Sequence, residues 1–332
     1  MRILVTGGAG FIGSHLSEEL LRRGHEVWAL DDLSTGRIEN LRTFERHPRF
    51  RFLEGDVMDS PLVHGLVAQC DEVHHLAAAV GVKYVLENPL KSLITNIRGT
   101  EVVLEACGEH RRKVLVASSS EVYGKGASVP FSEDDDRLMG PTHKLRWSYA
   151  AGKTVDESLA QAYYQQFDLP VVIARCFNPC GPRQSSAYGM VIPSMVQRAI
   201  AGQPILVFGD GQQSRCFSAV HDVVRGFLLL MDTPEAKGEV FNIGSDEEIT
   251  VFELAQRIKR MCRSDSEIEL MPYDRVYGHS YEDMRRRVPD LRKIRRYTGY
   301  RPQYSLDMLL EMTIRDHCEQ MQIPCPVGVA TA

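Results

Sequence analysis

Short aliphatic runs alternate with longer amphipathic stretches along the first half of the chain. Ile3–Val5, Glu26–Leu30, Arg51–Glu54, Glu72–Leu76, Lys113–Ala117 and Pro170–Arg175 read as short buried strands. Between them, Phe11–Arg23 and a stretch opened by Asn88-Pro89 and running to about Cys107 carry helical periodicity. Strand and helix in alternation predict a doubly wound parallel α/β sheet. The βα units end near residue 176. Beyond it come loops, shorter helices and one strand, Glu239–Ile243, expected to return to the main sheet. The expected division is a unit over residues 1–176, completed by a strand near 239–244, and a smaller C-terminal lobe over much of 177–332.

The first strand runs into Thr6-Gly7-Gly8-Ala9-Gly10-Phe11-Ile12-Gly13, which has the spacing G-x-x-G-x-x-G and opens a helix. Gly7 permits a tight turn, Gly10 lets backbone approach a ligand, and Gly13 brings helix and strand close. The helix N-terminal N–H groups then point at a pyrophosphate. Asp31 and Asp32 end the second strand, where an acid accepts ribose hydroxyls and repels a 2′-phosphate, so NAD is expected over NADP. Ser34-Thr35-Gly36 continues toward the adenosine, Asp56-Val57 follows the third strand at the adenine edge, and Leu76-Ala77-Ala78 offers small residues beneath a flat cofactor. His74 and His75 point to opposite faces of one strand, which argues for structural histidines rather than a metal site. Ser118-Ser119-Ser120 ends the fifth strand, where doubly wound sheets bind ligands. Tyr149 and Lys153 share a helix face, and an ammonium beside a phenol helps it accept a proton.

Composition narrows the class. The 332 residues carry a net charge of −5, which gives no general attraction to nucleic acid or an anionic membrane. The eight cysteines include no C-x-x-C pair, so free thiols are expected and no metal. No apolar run is long enough to span a membrane and no leader-like segment precedes Ile3; a cytoplasmic protein is the expectation.

Taken together, these segments resemble the extended short-chain dehydrogenase/reductase family, the NAD-dependent nucleotide-sugar epimerases, dehydratases and decarboxylases on a Rossmann sheet. The resemblance covers nearly the whole chain. It rests on the glycine turn, Tyr149-x-x-x-Lys153, Arg175-x-x-Asn178-x-x-Gly181-Pro182, Phe208-Gly209-Asp210-Gly211 and Arg215. It implies Ser119, Tyr149 and Lys153 as the catalytic set, Phe208 stacking on the base, and Asn178 touching the diphosphate. Finer features are similar to UDP-glucuronate decarboxylases: Ser118-Ser119-Ser120-Glu121-Val122-Tyr123-Gly124, Arg146-Trp147, Arg215-Cys216-Phe217, Tyr277-Gly278-x-x-Tyr281-x-Asp283 and Arg287-x-Pro289. In that group the arginine at 215 meets the hexuronate and the arginine at 287 binds diphosphate. Tyr277 joins the substrate set.

The chain also departs from that group. Val85 stands where the decarboxylases carry a tyrosine, with Tyr84 beside it, and Ala79-Val80-Gly81-Val82 is closer to an epimerase. Ser120 occupies the position of the dehydratase aspartate, which disfavours dehydration. The resemblance implies oxidation at C4 by Tyr149, Lys153 and Ser119 to a 4-keto sugar. A carboxylate at C5, held by Arg215 with Glu121 and Ser120, would then leave as CO2; a neutral or unreactive C5 would allow rotation and 4-epimerisation. A non-catalytic NAD-binding regulator is the alternative of another class, and the intact Ser119, Tyr149 and Lys153 set argues against it. The family also implies a homodimer, paired through the helix from Asn88 and the helix of Tyr149.

Overall fold

A run of aliphatic residues with no polar alternation is stable as a strand only when both of its faces are covered. The computed structural model describes residues 1–126, 128–277 and 282–327, the side chains of Asp274 and Tyr277 excepted, and in it these runs form a seven-stranded parallel sheet. The first six strands are β1 (Arg2–Thr6), β2 (Glu26–Asp31), β3 (Phe50–Glu54), β4 (Glu72–His75), β5 (Lys113–Ser119) and β6 (Val171–Cys176); the seventh is Val240–Ile243. Their order across the sheet is Val240–Ile243, β6, β5, β4, β1, β2, β3. The direction of winding reverses between β1 and β4, which opens a crevice at the carboxyl ends of those strands.

Five helices of the first half are α1 (Phe11–Arg22), α2 (Ser60–Val67), α3 (Val82–Glu87), α4 (Pro89–His110) and α5 (Ser148–Phe167). Successive strand residues enter opposite cores, as a period of two requires. Ile3, Val5 and Ala174 pack with Leu16 and Leu20 of α1 and with Val223 and Phe227 of helix Val220–Met231. Leu4, Val73 and Ile173 pack on the other face with Val63 of α2, Val102 and Val103 of α4 and Ala160 of α5. The expected strands and helices are all present with end shifts of a few residues. The largest matter for chemistry: β5 runs on to Ser119, so its last two residues are serines.

The third core belongs to the C-terminal part. Helices Val191–Ile200, Val251–Met261 and Leu306–Met321 enclose it with the strand pair Ile205–Phe208 and Ile268–Met271. A small sheet of Glu248–Thr250, Ser214–Cys216 and Arg286–Arg287 faces the main sheet's crevice side with Arg215 and Arg287.

A buried ionic network ties these layers together. Arg175 on β6 is among the largest fully buried side chains and makes a two-point pair with Glu157 of α5, Nε to Oε1 and Nη2 to Oε2, each 2.9 Å. Its Nη1 donates to the Tyr123 hydroxyl at 2.8 Å and to the Glu133 carbonyl at 3.1 Å. Glu157 also accepts from Ser118 at 2.6 Å and from Arg137 at 2.6 Å. Removing one partner strands the other's charge in the interior. Arg175→Met is expected to lower the unfolding free energy by about 3–5 kcal/mol, measurable by urea denaturation; a loss below ~1 kcal/mol would show that the pair is not holding α5 to the sheet.

Candidate functional site

The crevice at the switch point continues into the C-terminal lobe as one cavity of about 990 Å³. Its floor begins at the glycine turn. Gly7 has φ +70°, and a Cβ on Gly13 would stand 2.1 Å from the Gly7 carbonyl oxygen, so any side chain at 13 would force α1 away from β1. At the end of β2, Asp31 accepts the backbone N–H of Ala9 and of Leu33, both at 2.9 Å. Burial pushes its carboxyl up, and these two N–H groups oppose that shift. A Cβ on Gly36 would meet Asp31 at 2.5 Å, so the glycine keeps the space beside the acid open. Asp32 is turned to its own loop, accepting from the Ser34 N–H at 2.9 Å and hydroxyl at 2.6 Å.

Gly7, Gly10, Phe11, Ile12, Gly13, Asp31, Asp32, Ser34, Thr35 and Gly36 all line this cavity, with Asp56, Val57, Leu76, Ala77 and Ala78 across from them. The donor-rich turn, the acid at the end of β2 and the small-residue floor fit a dinucleotide. Asn40 belongs to the same wall and was not evident from the sequence. Its Nδ2 donates to the Ala9 carbonyl at 2.8 Å and fixes the turn from behind, a contact 31 residues apart with no local signature.

Ser119, Ser120, Glu121, Tyr149 and Lys153 line the middle of the cavity. β5 ends in a 3₁₀ turn, Ser120–Tyr123, capped by the Ser119 hydroxyl, which accepts from the Glu121 N–H at 3.3 Å. Tyr149, on the first turn of α5, faces Ser119. Burial raises the Tyr149 phenol above its ordinary value, the charges of Glu121 and Asp156 and the Cys176 thiol add to the rise, and Ser119 opposes it. Lys153, one turn on, donates to the Ala117 carbonyl at 3.0 Å and pairs with Asp156 at 3.1 Å. The Ser120 hydroxyl is buried with no hydrogen-bond partner among the described residues.

At the far end, guanidiniums gather. Arg146 pairs with Glu121 at 2.5 Å and Arg287 with the other Glu121 oxygen at 2.8 Å. Burial pushes Glu121 up, but Arg146 and Arg287, with Arg215 farther off, pull it down to about 2, so it is ionised throughout the working range. Arg215 makes its own pair with Asp283 at 2.7 Å and donates to the Ser214 carbonyl. Asn178, at φ +39°, donates to the Cys216 carbonyl at 2.7 Å and accepts from Arg287 at 3.2 Å. Phe208 is half-buried on the cavity wall. The backbone of Tyr277 ends helix Tyr273–Tyr277, and its side chain lies outside the described residues, as do Gly278 and Tyr281.

The run Arg285-Arg286-Arg287 divides by strand alternation. Arg285 and Arg286 meet Asp210 and Glu248 at the surface, while Arg287 turns into the cavity. Beside α3, Val85 is buried and Tyr84 lines the cavity with its ring edge-on to Tyr188, centroids 6.0 Å apart. His74 meets Glu72 at 2.8 Å and His75 meets Thr6 at 2.8 Å, so the two histidines serve separate contacts.

A nucleotide groove that leads without a break into a tyrosine–lysine pair on one helix defines an NAD-dependent enzyme of sugar nucleotides. The model of the GDP-mannose 4,6 dehydratase family matches residues 4–313. The chain is 43% identical over 315 residues to the UDP-N-acetyl-alpha-D-glucosaminuronate decarboxylase of Bacillus cytotoxicus, covering 95% of this chain and 97% of that one. It is 35% identical to UDP-glucuronic acid decarboxylase 1 of Danio rerio over 97% of this chain and 73% of the relative. The crystal structure of UDP-glucuronic acid 4-epimerase from Bacillus cereus, in complex with UDP-glucuronic acid and NAD, superposes with a TM-score of 0.86 at 28% identity, over 96% of this chain and all of that one. The chain belongs to the extended short-chain dehydrogenase/reductase family, and its cofactor is NAD.

Among the described residues no helix is long and apolar enough to cross a membrane. An acid at the end of β2, lining the cavity, would repel a 2′-phosphate, so NAD is expected to bind at least ~10-fold tighter than NADP. Titration of both cofactors by calorimetry checks this, and equal or tighter NADP binding would overturn the role given to Asp31.

Proposed function

We propose that the protein decarboxylates a UDP-hexuronate through a 4-keto intermediate, with UDP-glucuronate and its 2-acetamido analogue as the candidate substrates. The observation that carries this reading is the ionised Glu121 held between Arg146 and Arg287, with Arg215 farther along the wall of the same cavity as Ser119, Tyr149 and Lys153. A cluster of guanidiniums suits a carboxylate substituent. The relatives named as decarboxylases support the same reading.

NAD, when bound, accepts the C4 hydride and later returns it. The residues supply the rest. Tyr149 takes the proton of the 4-hydroxyl, Lys153 holds its charge beside that phenol and binds the cofactor's ribose, and Ser119 hydrogen-bonds the 4-oxygen. With a ketone at C4 and a carboxylate on C5, the C5–C6 bond breaks, CO2 departs, and its electron pair enters the C4 carbonyl as an enolate that Ser119 and Tyr149 stabilise. A proton then returns to C5. Arg215 orients the carboxylate, and Glu121 and Ser120 place it or a water. Arg287 and Asn178 serve the sugar-proximal phosphate, and Phe208 and Tyr277 the nucleoside end. Residues 1–176 with the returning strand form the cofactor unit, and much of 177–332 the sugar-nucleotide lobe.

A 4-epimerase is the second reading, favoured by Ala79-Val80-Gly81-Val82 and by the valine at 85. Incubation of NAD-loaded enzyme with a panel of UDP-sugars, read by mass spectrometry, separates the two. Loss of one CO2 from a UDP-hexuronate is expected; an isomer of unchanged mass would put the epimerase in its place. On the decarboxylated substrate, Arg215→Lys is expected to lower kcat by roughly 100- to 1000-fold, about 3–4 kcal/mol. An unchanged kcat with a raised KM would leave Arg215 with the diphosphate alone.

The assembly we propose is a homodimer. α4 and α5 pack side by side and leave Leu90, Ile94 and Val155 exposed, an apolar strip that a second copy would cover. The seven buried free thiols support a reducing, cytoplasmic setting. Light scattering at micromolar concentration is expected to give a dimer mass, and Ile94→Glu with Val155→Glu a monomer; a monomeric wild type would overturn the assembly.

A further inference from the structure

We infer that Asp156 is a positioning residue for the reaction: its carboxylate fixes the Lys153 ammonium and, through that ion pair, sets the pH range over which Tyr149 accepts a proton. This rests on the reading of Tyr149 and Lys153 as the acid–base pair.

Asp156 is completely buried on α5, one turn beyond Lys153, and lies outside every motif that carries the family resemblance. An isolated buried carboxylate is costly, and this one meets its counter-charge in Lys153 at 3.1 Å, itself 3% exposed. No donor among the described residues makes a well-aligned hydrogen bond to either Asp156 oxygen, so the nearby lysine charge is the main reason that the acid can be charged there. The converse also holds. An ammonium has three N–H groups. One goes to the Ala117 carbonyl and one faces Asp156, which leaves the third for the cavity that Lys153 lines. Without Asp156 the ammonium would lose its rotational setting and its counter-charge in a dry site.

Behind the pair runs a row of polar groups that the reaction scheme does not use. The Thr100 hydroxyl, on α4, faces Asp156. His75 Nε2 lies 3.1 Å from Thr100 Oγ1, and His75 Nδ1 lies 2.8 Å from Thr6 Oγ1, which accepts the Ala77 N–H at 3.2 Å. Burial, with the Lys153 charge adding, pushes His75 down to about 3, so the ring is neutral and has one N–H. A single assignment satisfies the row: Ala77 donates to Thr6, Thr6 to Nδ1, and Nε2–H to Thr100, whose hydroxyl is left facing Asp156. The row thus leads from the back of the glycine turn to the carboxylate that pairs with Lys153.

The other charges around the pair are accounted for. Glu157 is taken up by Arg175, Arg137 and Ser118. Tyr149 is faced by Glu121 from the turn after β5, by the Cys176 thiol from β6, by Ser119, and by Asp156 from its own helix. Glu121 is the stronger charge on Tyr149 but is held by Arg146 and Arg287, whereas Asp156 is the acid paired with Lys153 itself.

The sign follows. The Asp156 charge repels a phenolate at 149. Asp156→Asn should therefore ease loss of the Tyr149 proton, moving the acid limb of the kcat/KM profile to lower pH. Ultraviolet titration of the Tyr149 phenolate, with and without NAD and with Tyr149→Phe as the blank, reads the same shift without turnover. Asp156→Glu should restore the acid limb toward wild type. If Asp156→Asn does not fold, Asp156→Ser, which also removes the charge, is expected to shift the titration in the same direction. A lowered melting temperature with the phenolate titrating at the wild-type pH would overturn the inference and leave Asp156 a structural residue. If wild-type enzyme turns over no UDP-hexuronate, the proposed function fails while the titration still decides the role of Asp156.

Discussion

The two-point pair between Arg175 and Glu157 is the constraint on which the site depends. Tyr149, Lys153 and Asp156 all sit on α5, so their placement against Ser119 and Ala117 is only as good as the docking of that helix on β5 and β6. Apolar packing through Ala160 brings the helix to the sheet but tolerates small slides along it. A planar guanidinium meeting a carboxylate at two points does not. Ser118, the neighbour of Ser119 on β5, donates to the same carboxylate, so one glutamate registers the end of the strand against the helix. A hydrophobic pair could match the stability of such a bridge; it would lack this geometric definition.

Charge at the sugar end is organised on the same principle at lower rigidity. Arg146 comes from the turn before α5, Arg287 and Arg215 from the small lobe sheet, and Glu121 and Asp283 are their carboxylate partners. The lobe is thus joined to the main sheet partly through side chains that also face the substrate space. Under the proposed function a sugar carboxylate would draw on the same guanidiniums, so that its binding and the seating of the lobe would not be independent events.

How much was legible in the sequence follows from how local each signal is. The glycine turn, Asp31 and the Tyr149–Lys153 pair are short-range patterns whose spacing is itself the geometry, and the structure brings them into one cavity. The ion pairs were not legible, since Arg146 reaches Glu121 across 25 residues and Arg215 reaches Asp283 across 68. A run of three arginines looks uniform on paper, yet only Arg287 faces inward, because a two-residue strand turns successive side chains apart. Nor could the sequence show that helix Val220–Met231, far beyond the last βα unit, supplies half of the cover for one face of the sheet. Asp156 went unremarked because an acid beside a lysine on a helix is usually a solvated pair; its burial is a tertiary fact.

The returning strand has a consequence for how the chain comes to be folded. Val240–Ile243 pairs with β6 in register from Ile173 to Cys176, and Asn242 accepts the Tyr123 hydroxyl at 2.7 Å. Until residue 243 has left the ribosome, β6 is an edge strand with its backbone groups unpaired, and Tyr123 lacks its acceptor. A fragment cut after residue 176 would keep the glycine turn, Asp31 and the Tyr149–Lys153 pair and still present a bare, aliphatic sheet edge of the kind that recruits other chains. The dinucleotide unit is contiguous in its motifs but not in its fold, and the enzyme's two lobes must be synthesised before either is finished.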